Sequence, residues 1–203
     1  MKLYYSPGAC SLAPHILMNE LKVPCEYIAV NLGTHKTATG EDFTKINPKG
    51  AVPCLILKDG TMLTEGAVIQ QYLADTHPNS GLLPPVGDMR RYQVLAWLNY
   101  ITTDLHKGFS PLFNSKVPQE VKDQVFKPLM AGRFAFLNEH FKTHAYLAGD
   151  QFSLPDPYLF TVVGWSTHVG LSLTDYPYLT RYIDHLRHRP SVSSAMKEEG
   201  LAA

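Results

Sequence analysis

Residues 47–66 read Asn-Pro-Lys-Gly-Ala-Val-Pro-Cys-Leu-Ile-Leu-Lys-Asp-Gly-Thr-Met-Leu-Thr-Glu-Gly. Two short apolar runs in this stretch flank the dipeptide Asp59-Gly60, which tolerates positive φ at both positions and is a strong hairpin signal. Pro53 has no N–H to donate to a neighbouring strand, so the first strand begins with an unpaired end. The stretch therefore predicts a β-hairpin whose start is open to the backbone of a ligand.

A helix is predicted directly after this hairpin. It opens at Glu65-Gly66, and apolar residues then recur at helical spacing as far as Leu73. The N–H groups of a first helical turn, together with the positive end of the helix dipole, favour a bound anion. An ordinary hairpin and a helix with one exposed glutamate account for the same stretch, so both interpretations stay open at this point.

The composition indicates a globular protein without a strong charge bias. Of 203 residues, 45% are hydrophobic and 18% are charged, as expected of a chain with a folded core. The formal net charge is zero and the pI is near 7.1, so we expect neither nucleic acid nor a membrane as a partner. There is no signal-peptide pattern and no apolar run of bilayer length, and the three cysteines suggest free thiols in a reducing cytoplasm.

Cys10 is the candidate nucleophile of the first half. Pro14 fits only near the start of a helix, so the helix that contains it begins at Cys10 or Ser11. A thiol at a helix N-terminus lies close to the dipole and to open N–H groups, which lower its pKa. The alternative is a small buried apolar residue, which is the role that we assign to Cys25 and Cys54.

The predicted elements of the first half are a strand, a helix, a strand, a hairpin and a helix, with the first two strands at residues 2–5 and 26–32. This βαβ-ββα order is the thioredoxin-like arrangement. A redox thioredoxin carries Cys-x-x-Cys, but the fourth position of that motif is Ala13 here. Cys10 would therefore form a disulfide with a small external thiol.

Residues 76–85 are rich in helix and strand breakers, and they divide the chain into two predicted domains. The first domain, residues 1–80, is α/β and thioredoxin-like. The second domain, residues 87–203, is predicted to be all-helical. Its helices are expected at about residues 88–113, 125–141, 159–165, 178–187 and 191–198.

Ser153 and Asp156 are spaced as a variant capping box at the start of the core helix, with Asp in place of Glu or Gln. Pro155 would be harmless there, because its missing N–H would have no helical partner in any case. Pro157 is predicted to remove the first helical hydrogen bond and to distort the first turn.

A polar stripe is predicted on the first helix of the second half. It consists of Asn99, Thr103, His106 and Lys107, whose spacing places them on one helix face. Such a stripe is normally solvated, and a binding surface is the alternative.

Two motifs together resemble the cytosolic glutathione S-transferases. Val52-Pro53 before a hairpin and Glu65-Gly66 at a helix start are similar to the glutathione-binding half of that family. Residues 5–11, Tyr-Ser-Pro-Gly-Ala-Cys-Ser, resemble the bacterial beta class, which uses this cysteine in place of the tyrosine or serine of other classes. The resemblance spans essentially the whole chain, and it implies a thioredoxin-like domain followed by a helical domain that carries the electrophile pocket.

The resemblance implies how the first half would bind glutathione. The Val52-Pro53 bond is expected to be cis, and Val52 is expected to pair main chain to main chain with the cysteinyl unit. Glu65 is expected to bind the γ-glutamyl ammonium. Gly66 is expected to bind the γ-glutamyl carboxylate through its backbone N–H, at a position where many family members have serine.

Further site residues are implied by the same resemblance. His35, or Lys36 beside it, is expected near the glycyl carboxylate. Cys10, His106 and Lys107 are expected to be catalytic, because the two basic side chains would stabilise a Cys10 thiolate. The residues expected to bind glutathione, from the same subunit or its neighbour, are Ala9, Cys10, His35, Val52, Pro53, Glu65, Gly66, Asn99, Thr103, Asp104, His106 and Lys107.

These expectations describe a homodimeric glutathione transferase that conjugates the glutathione thiol to small apolar electrophiles and needs no metal. A thiol:disulfide or peroxidase side activity is expected through Cys10. The alternative from another class is a non-enzymatic protein on the same fold that binds glutathione or hydrophobic ligands or has a regulatory role. A maleylacetoacetate isomerase is disfavoured, because paired serines would be expected where Gly8-Ala9 stand.

Overall fold

The computed structural model describes residues 1–201, which fold into two units. The first unit contains Met1–Ser80 together with residues 188–201, and the second contains Gly81–Arg187. Every helix within residues 1–201 is too short or too polar to cross a lipid bilayer.

A mixed five-stranded sheet forms the centre of the first unit. Its strands are β1 (Lys2–Tyr5), β2 (Glu26–Asn31), β3 (Lys36–Thr37), β4 (Cys54–Ile56) and β5 (Met62–Thr64). They are ordered β3-β2-β1-β4-β5, with β1 and β2 parallel and the other neighbouring pairs antiparallel. Leu3 of β1 lies opposite Tyr27 on one side and Leu55 on the other, and both leucines are fully buried. The core of this unit is therefore built around β1.

The α-helices of residues 1–201 are, in chain order, α1 (Leu12–Glu20), α2 (Gly66–Asp75), α3 (Met89–Tyr100), α4 (Lys107–Phe113), α5 (Gln119–Val121), α6 (Lys127–His140), α7 (Asp156–Gly164), α8 (Pro177–Arg187) and α9 (Pro190–Glu198). The helices α1, α2 and α9 belong to the first unit, and α3 to α8 belong to the second. Two π-helical segments, Ile101–His106 and Lys122–Phe126, join α3 to α4 and α5 to α6.

The predicted fold class is confirmed in both halves. The order β1-α1-β2 followed by β4-β5-α2 is the expected thioredoxin-like arrangement, with β2 ending one residue earlier than predicted. The short strand β3 was not predicted. Between Gly81 and Arg187 the regular elements are helical, and the helix expected at 88–113 corresponds to α3, a π-helical segment and α4.

The predicted hairpin forms between β4 and β5, but its turn differs in detail from the expectation. Only Gly60 of the Asp59-Gly60 pair has a positive φ, of 88°. Leu57 donates its N–H to Thr61 O over 2.8 Å, and Asp59 Oδ1 accepts the Thr61 N–H at 2.9 Å. A loop of three residues with glycine in the left-handed position therefore replaces the two-residue turn.

The predicted pairing of Ser153 with Asp156 before α7 is confirmed, and the first turn departs from regular α-helix, as expected for Pro157. Asp156 accepts hydrogen bonds from the N–H and the hydroxyl of Ser153, at 2.7 and 2.9 Å, and from Leu147 N and Tyr182 Oη. The Asp156 N–H donates to Ser153 O at 3.1 Å, and regular α-helix begins only at Asp156. Pro157 has no N–H that could donate to Ser153 O, so the α-helical bond that would close this turn is missing.

The C-terminal helix α9 belongs to the first unit, whereas the sequence analysis placed it in a second domain of residues 87–203. It contacts α1, and its residues Val192 and Ala195 are fully buried. Arg189 donates to the Glu20 carboxylate of α1 at 2.9 Å. Burial opposes ionisation of Glu20, but the hydrogen bonds from Arg189 and Ser191 outweigh it and lower the Glu20 pKa. Apolar spacing predicts a buried face on a helix, and it does not identify what covers that face.

Candidate functional site

Cys10 lies in the turn between β1 and α1, one residue before the N-cap Ser11. Its side chain is partly exposed, and its Sγ lies 3.2 Å from the carbonyl oxygen of Val52, to which the thiol can donate. The fully buried Ser11 closes the turn, because its Oγ accepts the Ser6 N–H at 3.1 Å. The predicted position of Cys10 at the start of a helix is confirmed.

The loop that contains Val52 is shaped by Asn47, a residue to which the sequence analysis gave no role. Asn47 is 1% exposed, its Nδ2 donates to Ala51 O at 2.7 Å, and its Oδ1 accepts the Lys49 N–H at 3.2 Å. The peptide bond between Val52 and Pro53 is cis, as predicted. An asparagine ahead of Pro-Lys-Gly is a turn-forming signal that could have identified Asn47.

Glu65 immediately precedes α2 and has an unusual backbone, with φ 68° and ψ 113°. A non-glycine residue in such a region costs of order 1–3 kcal/mol, and such residues are concentrated at functional sites. Its side chain is 64% exposed, and Oε1 lies 2.6 Å from Lys49 Nζ.

Gly66 is the first residue of α2, so its N–H is one of the open donors of the helix N-terminus. A Cβ at this position would lie 3.6 Å from Pro53 Cγ, which is ordinary contact distance. The cis Val52-Pro53 segment and the start of α2 are therefore adjacent.

His35 and Lys36, the two candidates for the glycyl carboxylate, are both exposed, but they have different surroundings. His35 has a positive φ of 53°, and its ring is so close to Gly50 that a Cβ on Gly50 would lie 3.0 Å from His35 Cε1. Lys36 pairs with Asn31 in the sheet. Of the two, His35 is the one that packs against the loop of Asn47 and Val52.

The C-terminal segment contributes to the turn that holds Cys10, which the sequence analysis missed. Glu199 accepts the Gly8 N–H with Oε2 and faces His15 Nδ1 with Oε1, each at 2.9 Å. The other ring nitrogen of His15 lies 2.7 Å from Glu198 Oε2, and the ring stacks on Tyr27 with 3.9 Å between centroids. The side chains of His15 and Glu199 are almost completely buried. No sequence motif indicates this network, because its members are separated by more than 180 positions.

The polar stripe predicted on the second unit divides into two groups. Asn99, Thr103 and Lys107 are exposed at intervals of four residues. His106 is partly buried, lies 2.6 Å from Tyr158 Oη through Nδ1, and packs edge-on against the Trp165 ring. The expectation of one stripe was wrong, because residues 101–106 are π-helical and the wider winding changes which residues share a face.

Asp104, the remaining candidate on this segment, accepts the Thr103 hydroxyl at 2.8 Å and lies 3.6 Å from Arg133 of α6. Its carboxylate is therefore held within the helical unit. Among residues 1–201, no group of three or more His, Cys, Asp or Glu side chains is arranged to hold a metal ion.

The first unit thus brings several predicted site residues together through direct contacts. The Cys10 thiol meets Val52 O, and Pro53 meets the start of α2. Beside them the exposed Glu65 carboxylate offers an acceptor for a cation, and the open N–H groups of α2 favour an anion. Such a set of groups suits a small ligand that carries an ammonium, a carboxylate and a thiol.

Comparison with known proteins gives the same class for both halves of the chain. Residues 8–76 match the family described as "Glutathione S-transferase, N-terminal domain", and residues 100–190 match "Glutathione S-transferase, C-terminal domain". "Glutathione S-transferase GstA" of Escherichia coli O157:H7 is 43% identical over 201 residues, which cover 99% of this chain and 100% of that protein. The chain therefore belongs to the glutathione S-transferase family, and the prediction that it is a transferase of this family is confirmed.

The solved structures refine the class. A Sphingomonad glutathione S-transferase complexed with glutathione has a TM-score of 0.95 and 41% identity, with both chains covered completely. A structure described as a bacterial beta class glutathione S-transferase from Sphingomonas chungbukensis has a TM-score of 0.95 and 40% identity, again over all of both chains. The resemblance to the beta class is confirmed.

Glu199 and Glu198 give a matched pair of variants for the network behind Cys10. Glu199→Ala should lower the free energy of unfolding by about 3 kcal/mol, because it leaves the Gly8 N–H and the His15 ring without their buried acceptor. Glu198→Ala should cost about 1 kcal/mol or less, because that carboxylate is 46% exposed. Urea unfolding of both variants measures the difference, and equal losses would show that burial of Glu199 is not the decisive factor.

Proposed function

We propose that this chain binds glutathione on its first unit and transfers the glutathione thiol to apolar electrophiles. The observation that carries the proposal is the direct contact of Cys10 Sγ with Val52 O, beside the start of α2 and the Glu65 carboxylate. The glutathione-bound Sphingomonad relative, which is similar over its whole length, supports glutathione as the co-substrate.

Each charged end of glutathione has a chemically matched group in the first unit. The γ-glutamyl ammonium pairs with Glu65, and the adjacent carboxylate accepts the Gly66 N–H, with the positive end of the α2 dipole adding to the attraction. The cysteinyl unit pairs with the Val52 main chain, which brings its sulfur close to Cys10. The glycyl carboxylate lies beside the loop shared by His35 and Gly50, with Lys36 as the other candidate.

Conjugation requires that the bound thiol lose its proton and attack the electrophile. A new S–C bond then forms while the leaving group departs, or while an activated double bond accepts the electron pair. Binding both reactants in one site lowers the entropic cost of this step. The further contributions of Ala9, Asn99, Thr103, Asp104, His106 and Lys107 stay predictions from the family resemblance.

The proposal is tested by glutathione binding and by conjugation of a generic aryl halide. Glu65→Ala should weaken glutathione binding by about 1.5–3 kcal/mol in titration calorimetry, as expected for the loss of a hydrogen bond to a charged group. Glu26→Ala is the matched control, because Glu26 is also an exposed glutamate of this unit that pairs with a lysine.

Unchanged affinity of the Glu65→Ala protein would contradict the assignment of Glu65. Retention on immobilised glutathione without any conjugation would favour the non-enzymatic binding protein. Failure of both assays with the unmodified protein would contradict the proposed function as a whole.

A second activity, thiol–disulfide exchange through Cys10, is favoured by the partial exposure of this residue and by its contact with Val52 O, where the glutathione sulfur is proposed to lie. The Cys10 thiolate attacks the glutathione-side sulfur of a mixed disulfide, forms a Cys10–glutathione disulfide and releases the substrate thiolate. Free glutathione then attacks the glutathione sulfur of that adduct, which yields oxidised glutathione and returns the Cys10 thiolate. The net reaction consumes one free glutathione for each mixed disulfide and yields one substrate thiol and one molecule of oxidised glutathione.

Cys10→Ala should abolish the glutathione adduct that oxidised glutathione forms, and also the disulfide reductase activity, while much of the conjugating activity remains. Conjugation uses the thiol of glutathione, so it does not require a protein sulfur. Cys25→Ala, which removes another partly exposed thiol of the same unit, should change neither activity. Intact mass spectrometry measures the adduct, and separate assays measure conjugation and disulfide reduction. An adduct on the Cys10→Ala protein, or an equal loss of both activities, would contradict the assignment of disulfide reduction alone to Cys10.

We also propose that the chain forms a twofold homodimer in a reducing cytoplasm. Support comes from a partly exposed aromatic cluster of the helical unit, in which Phe136 is 52% exposed and lies 5.9 Å from Trp97 and 5.7 Å from Tyr100 between ring centroids. Exposed apolar clusters of this kind commonly mark association surfaces, and twofold dimers are the commonest soluble oligomers.

Sedimentation should therefore give twice the chain mass of 22.7 kDa at micromolar concentration. Phe136→Asp should shift the equilibrium towards the monomer, because it places a charge in the apolar contact. A monomeric unmodified protein would contradict the dimer, and a Phe136→Asp dimer of unchanged stability would exclude this cluster as its interface.

A further inference from the structure

Glu65 is already paired with a primary ammonium of its own chain. Lys49 Nζ lies 2.6 Å from Glu65 Oε1 and donates to Thr64 Oγ1 at 3.1 Å. The two side chains are 57% and 64% exposed, respectively. The Glu65 carboxylate and the Thr64 hydroxyl thus accept hydrogen bonds from Lys49, as they would from the ammonium group of a ligand bound at Glu65.

The position of Lys49 is fixed by the same loop that forms the candidate site. Asn47 Oδ1 accepts the Lys49 N–H at 3.2 Å, and Asn47 Nδ2 holds Ala51, the residue before Val52. Lys49 thus extends from an anchored backbone towards the start of α2. Its four-carbon side chain is flexible beyond that anchor and can leave the carboxylate without any change in the loop.

We infer that Lys49 is an intramolecular competitor for the Glu65 carboxylate and that it lowers the affinity of the site for ligands with a primary ammonium. This inference rests on the proposed function, in which Glu65 binds the γ-glutamyl ammonium of glutathione. Both groups are primary ammonium ions that hydrogen-bond to the same carboxylate, and Lys49 already occupies Oε1. A second ammonium at either oxygen would lie close to the Lys49 ammonium, and the two like charges repel each other. Binding therefore exchanges one ammonium for another.

The size of the effect follows from the exposure of the pair. Ion pairs between exposed side chains are weak, because water screens the charges and ordering two long side chains costs entropy. Removing Lys49 should therefore strengthen ligand binding about two- to fivefold, as expected for an exposed ion pair. The gain should be confined to ligands that carry the ammonium.

The test measures binding of S-methylglutathione, which cannot form a disulfide with Cys10, to the full-length protein by titration calorimetry. A second ligand has the same structure with the γ-glutamyl amino group replaced by hydrogen. The variants are Lys49→Met, which removes the charge at similar length, and Lys49→Arg, which keeps it. Lys58→Met is the matched control, because it removes an exposed lysine charge from the same unit in the turn between β4 and β5.

Lys49→Met should bind S-methylglutathione about two to five times more tightly than the unmodified protein, and it should bind the ligand without the amino group equally well. Lys49→Arg and Lys58→Met should behave as the unmodified protein does. Weaker or unchanged binding of S-methylglutathione by Lys49→Met would overturn the inference, because Lys49 would then orient Glu65 or have no influence on it.

Two further outcomes distinguish this inference from the proposed function. If the Lys49→Met protein binds both ligands more tightly by the same factor, Lys49 does not act through the ligand ammonium. The inference is then overturned, whereas the proposed binding of glutathione is not affected. If the unmodified protein binds neither ligand, the proposed function fails, and the inference fails with it.

Discussion

The buried side-chain amide of Asn47 is the constraint on which the candidate site depends. Its Nδ2 holds the carbonyl of Ala51, and its Oδ1 holds the N–H of Lys49. A buried amide without partners would be costly, so the loop is held in the one conformation that satisfies both groups. That conformation presents Val52 O to the Cys10 thiol on one side, and it directs Lys49 towards Glu65 on the other.

Much of the fold could be predicted because its signals are local. The Asp59-Gly60 pair between apolar runs predicted the hairpin, and the spacing of Ser153 and Asp156 predicted the capping box, within a few residues of where the structure has them. Asn47 was missed because its role depends on the path of the loop backbone. Glu199 was missed because its partners lie at the other end of the chain. Local patterns carry no information about contacts across such sequence separations.

The sequence-based predictions of backbone conformation at residues 99–107 and at Glu65 fail, because the backbone departs from regular geometry there. The polar stripe assumed 3.6 residues per turn, but residues 101–106 are π-helical, and His106 packs on Tyr158 and Trp165. The positive φ of Glu65 could not be predicted either, because glycine is the usual sequence signal for such a backbone conformation and this position holds a glutamate. Both departures fall on residues proposed to bind or activate glutathione, and irregular backbone is frequent at functional sites.

The first unit is built from two segments that lie far apart in the sequence, so these segments are synthesised at different times. The Gly8 N–H and the His15 ring are made more than 180 residues before their acceptor Glu199. At ribosomal rates of about 5–20 residues per second, that delay is roughly ten to forty seconds. The entire helical unit, Gly81–Arg187, is translated in this interval. The turn that carries Cys10 thus leaves the ribosome before the helical unit, and it acquires its full set of hydrogen bonds only after that unit has been made.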